Sequence, residues 1–138
     1  MRKKYYLDTS IWIDFFENRN EPNNPKEDNA ERLINHIIKK DHKLIISDMI
    51  IEELHIIGYP FSEIKELFDP FKKIIIYIES NSKQIGKSKD LSLKRDIPKG
   101  DTIHALIARD NQSILITLDK HFTDISDIIK PKRPQDIL

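Results

Sequence analysis

Four short apolar runs, at Lys3–Leu7, Lys43–Ile46, Lys73–Ile78 and Ser113–Leu118, are separated by longer segments whose apolar residues recur at helical spacing. Runs this brief and this continuously apolar read as strands buried on both faces. Strands alternating with amphipathic helices predict an α/β three-layer sandwich, with a central, mostly parallel sheet flanked by helices. Ile11, Trp12, Ile13, Phe15 and Phe16 mark the first helix, capped by Thr9 or Ser10, and Asn18–Pro25 reads as a loop. Leu33, Ile34, Ile37 and Ile38 line a second helix opened by Asp28 or Asn29. Ser47 or Asp48 caps a third that ends near Gly58, and Pro60–Phe71 forms a fourth with Ile64, Leu67 and Phe68 inward. Ser80–Asp96 is polar and lysine-rich, an exposed helix or a mobile segment, and Asp101–Arg109 is helical again. The tail, with Pro131 and Pro134, adds a short edge strand near Ile128 and Ile129, giving four or five strands in all. A chain of 138 residues fits one domain, residues 1–138, and buries roughly two-thirds of its unfolded surface without covalent staples.

The absence of cysteine excludes disulfides, thiolate metal sites and a thiol nucleophile. The start, charged and then apolar, is interrupted by Asp8 and Asp14, and no later run approaches the roughly 18 apolar residues of a membrane span. The expectation is a soluble, cytoplasmic protein. Lys and Arg number 23 against 23 Asp and Glu, so any nucleic-acid contact must use a local patch. Candidates are Arg2–Lys4, the Lys83–Lys99 region, and Lys130, Lys132 and Arg133, each also readable as a solvated face of mixed charge.

The stretch Ile97–Phe122 organises the candidate chemistry. It sets Asp101 at the mouth of a helix and Asp119 just past a strand. In open parallel sheets the functional crevice lies beyond the carboxyl ends of the strands, and Asp8 and Asp119 each follow an apolar run. Either acid alone could merely cap the next helix. At about 100° per residue, Glu53 falls on the apolar arc with Met49, Ile50 and Ile57, whereas Glu52 falls on the far side with Asp48 and His55. A carboxylate on an apolar face costs several kcal/mol unless it is paired with a base or bound to a metal. Ala105 and Ala108, one and two turns after Asp101, permit close packing there. His104 reads as a donor behind a metal ligand, a phosphate contact or a plain core histidine, and Thr117 as a holder of water or an ordinary strand threonine. Four convergent carboxylates without interleaved lysine or arginine are an electrostatic problem that a divalent cation solves. No Gly-x-Ser-x-Gly elbow or glycine-rich phosphate loop occurs among the three glycines.

YYLDTSIWIDFF, IISDMIIEELHIIG and IPKGDTIHALIARDNQSILITLDKHF together resemble the PIN-domain family of metal-dependent ribonucleases, and more narrowly the VapC-type toxins of prokaryotic toxin–antitoxin pairs. The likeness covers most of the chain; Phe61–Asp96 matches only in outline. It implies a PIN-like sandwich in which Asp8, Glu53, Asp101 and Asp119 are catalytic, metal-binding acids, with Ser10 and Thr117 as supporting polar groups. It further implies Mg²⁺ or Mn²⁺ as cofactor, an RNA substrate cut to 5′-phosphate and 3′-hydroxyl ends, an antitoxin partner and a homodimer. This sequence departs from the family pattern in carrying a second acid, Glu52, before Glu53, and in crowding Asp119 with Lys120 and His121. Two rival readings remain: a phosphoaspartyl phosphatase or receiver-like domain, which would want acids this chain lacks around Asp8, and a non-catalytic module of the same fold.

Overall fold

The computed structural model describes residues 2–17 and 25–138; most of the expected Asn18–Pro25 loop lies outside them. Four strands, β1 (Lys4–Leu7), β2 (Lys43–Ser47), β3 (Ile75–Ile78) and β4 (Ile114–Ile116), form one sheet in the order β3-β2-β1-β4. Every pairing is parallel, with Tyr6 opposite both Ile45 and Leu115, and Leu7 opposite Ile116. Tyr5, Tyr6 and Leu7 are buried on both faces of the central strand, as continuous apolar runs in parallel sheets require. At the sheet edge β3 is only half-buried, which its Ile-Ile-Tyr-Ile sequence alone does not distinguish from a central strand.

The helices are α1 (Thr9–Glu17), α2 (Pro25–Lys39), α3 (Asp48–Ile57), α4 (Phe61–Phe68), α5 (Ser82–Arg95), α6 (Lys99–Asp110) and α7 (Pro134–Ile137). The first four connect strands that step toward one edge, while α5 and α6 carry the chain back across the sheet to β4. Right-handed crossovers therefore place the two groups on opposite faces, which is the expected sandwich. On the first face, Trp12 is fully buried and meets Phe68 nearly edge-on at 4.8 Å between ring centroids, with Phe15, Phe16 and Phe71 around it. This aromatic cluster clamps α1 to α4 and so fixes the direction in which the chain leaves β1. Ser47 caps α3 by accepting from the Ile50 amide. Gly58 ends that helix at φ 131, a left-handed conformation that disfavours any side chain.

Several boundaries differ from the sequence reading. Asp8, not Thr9 or Ser10, caps α1, its carboxylate and carbonyl both accepting from the Ile11 amide. Of the two readings of residues 80–96 the exposed helix holds: α5 is opened by a reciprocal capping box between Asn81 and Gln84. Helix α2 starts at Pro25, ahead of Asp28. The expected edge strand at Ile128 and Ile129 is absent; those residues follow a 3₁₀ segment, Lys120–Ile125, and bond back to Ile125. The chain meets the sheet later, as a parallel bridge of Lys132 to Ile116. Among the described residues, no helix is long and apolar enough to cross a membrane.

Candidate active site

The chain leaves β1 toward β2 and returns, after β3, on the other side of β1 as β4. The topological switch point thus lies between β1 and β4, at their carboxyl ends. Here the Asp8 amide extends the ladder by donating to the Ile116 carbonyl. A cleft of about 410 Å³ opens at this point, and Asp8, Glu53, Asp101 and Asp119 all line it, with Ser10, Asp14 and His104. The structure therefore brings together all four acids singled out in the sequence, from the end of β1, α3, α6 and the end of β4.

Asp8 is almost wholly buried. Its Oδ1 accepts from the Ser10 hydroxyl at 2.5 Å and from the Ile11 amide, and its Oδ2 accepts from Thr117 Oγ1. Thr117 in turn accepts from the Asp119 amide at 3.0 Å, so one hydroxyl joins two of the acids. Ser10 and Thr117 thus bind a carboxylate directly, a role the sequence reading of Thr117 as a water holder did not include.

Glu53 is half-buried while Glu52 is exposed, as the helical-face argument requires. Its Oε2 accepts from Thr9 Oγ1 at 2.5 Å, and its Oε1 lies 2.8 Å from His104 Nε2. Burial raises its pKa, but the contacts from His104 and Thr9 outweigh that and hold the carboxyl below the usual range. The expected alternative of an arginine or lysine partner is not what the structure contains; an imidazole takes that place. Gly100, in the first turn of α6, passes so close that a Cβ there would lie 3.1 Å from Glu53 Oε1.

Asp101 behaves oppositely. Burial, then the neighbouring Asp119 carboxylate, push its pKa up to about 6. Its Oδ2 is buried and has no hydrogen-bond partner; the His121 ring nitrogen, 3.4 Å away, is out of bonding geometry. His121 also lies 3.1 Å from Asp119 Oδ1, and that oxygen accepts from the His121 amide. Donor atoms of Asp101, Asp119 and His121 fall within 4.8 Å of one another, close enough to share one cation. Among the described residues, no lysine or arginine pairs with any of the four acids.

Two contributors lie outside the sequence reading of the site, which takes Thr9 only as a helix cap and His121 only as crowding charge. Thr9 lies beside Asp8 in the sequence, and that adjacency was the one signal that could have found it.

An acid-lined cleft at the switch point of a small, wholly parallel sheet defines an α/β domain with its candidate site at the strand ends, and sequence comparison names its family. The PIN domain family profile matches residues 5–128, and the chain belongs to that family. No curated protein is significantly similar to it in sequence. In fold it is similar to VapBC-1 from nontypeable Haemophilus influenzae, with a TM-score of 0.67 and 21% identity over 96% of this chain and 98% of that one. It is also similar to VapBC2 from Rickettsia felis, solved bound to a DNA fragment from the promoter, with a TM-score of 0.66, 17% identity and coverage of 94% and 98%. A toxin–antitoxin complex from Klebsiella pneumoniae aligns at a TM-score of 0.64 and 17% identity, covering 94% and 97%.

Proposed function

We propose that this protein is a divalent-metal-dependent endoribonuclease, the VapC-type toxin of a toxin–antitoxin pair. One observation carries the reading: the buried Oδ2 of Asp101, which accepts no hydrogen bond among the described residues and is approached by the His121 ring, beside Asp119 in a cleft with two further acids. An orphaned carboxylate oxygen among like charges is costly in an apo protein and is the donor a hard cation requires. Asp8, Glu53, Asp101 and Asp119 would hold the ion, since the hydrogen bonds to Asp8 and Glu53 leave lone pairs free on each carboxylate. Mg²⁺ or Mn²⁺, when bound, supplies a nucleophile at neutral pH and offsets charge on the phosphate and leaving oxygen.

The protein groups do the positioning. Thr117 and Ser10 fix Asp8, Thr9 and His104 fix Glu53, and the first turn of α6 presents Asp101. A neighbouring groove of about 250 Å³ shares Leu118 and Asp119 with the cleft and carries Lys120, Lys132 and Arg133. These cations would take the RNA backbone away from the cut, giving affinity without sequence choice. The products would be a 5′-phosphate and a 3′-hydroxyl. Exposed Ile56, Ile57, Phe61 and Tyr77 offer apolar surface for the antitoxin or for a second copy in a homodimer.

Purified protein with Mn²⁺ should cut single-stranded RNA, and Asp101→Asn should abolish cutting while the circular dichroism spectrum stays unchanged. Undiminished cleavage by that variant would overturn the assignment.

A further inference from the structure

Behind the cleft runs a continuous hydrogen-bonded chain that crosses the sheet from β2 through β1 to α6 and returns to α3. The Ile50 amide donates to Ser47 Oγ at 3.3 Å; Ser47 Oγ lies 2.7 Å from Tyr6 Oη; Tyr6 Oη lies 2.5 Å from His104 Nδ1; and His104 Nε2 lies 2.8 Å from Glu53 Oε1. Ser47, Tyr6 and His104 are all buried, at 0%, 0% and 3% exposure, so water does not substitute for the links among them.

The chain has one direction in which every proton is used. Ser47 already accepts from the Ile50 amide, and the acceptor within reach of its own hydroxyl proton is Tyr6 Oη. Tyr6, whose hydroxyl burial keeps protonated, then donates to His104 Nδ1. A neutral ring that accepts at Nδ1 carries its proton at Nε2, and Nε2 faces Glu53. Run the other way, the neutral ring would set a bare nitrogen lone pair against a carboxylate oxygen, and the Ser47 proton would have no acceptor among the described bonds.

We propose that Ser47 and Tyr6 fix His104 as the Nε2–H tautomer, making Tyr6 and His104 positioning residues that, with Thr9, lock the Glu53 carboxylate in its cation-holding orientation. The proposal rests on the metal reading of Glu53 and extends the support of that acid beyond the His104 ring, to the tautomer that Tyr6 and Ser47 impose on it. Partners behind a metal ligand commonly change affinity by about 10–100-fold, and Tyr6 and His104 should fall in that range.

The test joins two measurements on the full chain. Long-range ¹H–¹⁵N correlation on ¹⁵N-histidine-labelled, metal-free protein reads the tautomer of His104, assigned by its loss in His104→Gln. Calorimetric titration with Mn²⁺ alone reads affinity. Wild type should show the Nε2–H form, and Tyr6→Phe should lose its Nδ1 hydrogen-bond shift. Tyr6→Phe and His104→Ala should each bind Mn²⁺ about tenfold or more weakly. His104→Gln, whose amide N–H reaches Glu53, should recover affinity over His104→Ala, which a merely space-filling histidine would not explain. An Nδ1–H tautomer in the wild type overturns the proposal whether or not metal binds. So does Mn²⁺ affinity that Tyr6→Phe leaves unchanged. Wild type that binds no Mn²⁺ but shows the Nε2–H form would instead strike the metal reading, and the positioning role with it.

Discussion

Gly100 and Glu53 approach so closely that a methyl group on Gly100 would sit 3.1 Å from Glu53 Oε1, which is already held by His104. The glycine is there for space, since its backbone is ordinary helix. Alanine in a helix is roughly 0.5–1 kcal/mol better than glycine, so Gly100→Ala gains in helix propensity what it loses in crowding. The carboxylate, tied at both oxygens, must yield by a few tenths of an ångström or break a bond. The expected outcome is a melting temperature close to wild type with RNA cleavage reduced about tenfold or more. A variant equally stable and fully active would show that the Glu53 orientation tolerates displacement.

Asp101 sets a pH dependence that can be read without any substrate. Its folded pKa of about 6 exceeds the ordinary 3.8. A carboxyl raised in the folded state favours folding when protonated, so this stability is fully present below the unfolded pKa and is lost as pH rises through about 6. In chelator, lowering the pH from about 7 to about 5 should therefore stabilise the protein, on the order of 1 kcal/mol or a few degrees in melting temperature. Further acidification reverses the gain, because Glu53, with its depressed pKa, loses its hydrogen-bonded charge. Saturating Mn²⁺ should remove the mildly acidic maximum, and Asp101→Asn should flatten it. A flat metal-free wild-type profile would mean that neither burial nor Asp119 raises the Asp101 carboxyl.

The sheet was legible because its strands are apolar without interruption, and the cleft because three acids obey local rules. Asp8 and Asp119 follow strands, and Glu53 shares a helical face with Ile50. Segment 80–96 was ambiguous from composition, yet its Asn81–Gln84 box was a readable helix start. The sequence offers His104 as one donor behind a metal ligand, but neither which acid it meets nor the Tyr6 and Ser47 links behind it. Tyr6 and His104 are 98 residues apart, and His104 and Glu53 are 51 apart, so no spacing rule links them. The tail failed for a different reason: Ile128 and Ile129 have strand-like composition, but Lys120–Ile125 winds as a 3₁₀ segment after Asp119 accepts from the His121 amide.

Adjacent acids on α3 offer a matched comparison. Glu52 is exposed and Glu53 faces the cleft, so the two substitutions differ in position but not in chemistry. Glu52→Gln should leave cleavage intact and stability within about 0.5 kcal/mol of wild type. Glu53→Gln should reduce cleavage to background, since an amide cannot contribute the charge that a cation requires. Steady-state cleavage of a fluorogenic RNA compares them directly, and equal losses in both would undo the assignment of the inward-facing acid.

Thr117 joins two acids through one oxygen, donating to Asp8 and accepting from the Asp119 amide. Thr117→Val keeps the volume and the β-branched shape but removes both bonds, leaving a carboxylate oxygen at a nearly dry position with one partner fewer. Stability should fall by about 1–3 kcal/mol, measured by urea denaturation with an unchanged m-value. The functional loss should exceed what instability explains, because the orientation of Asp8 and the start of the turn carrying Asp119 both depend on that hydroxyl. Thr117→Ser, which restores the hydroxyl without the methyl, separates the two effects: cleavage should recover while part of the stability loss persists. If Ser and Val variants were equally inactive, the methyl group rather than the hydroxyl would be what this position contributes.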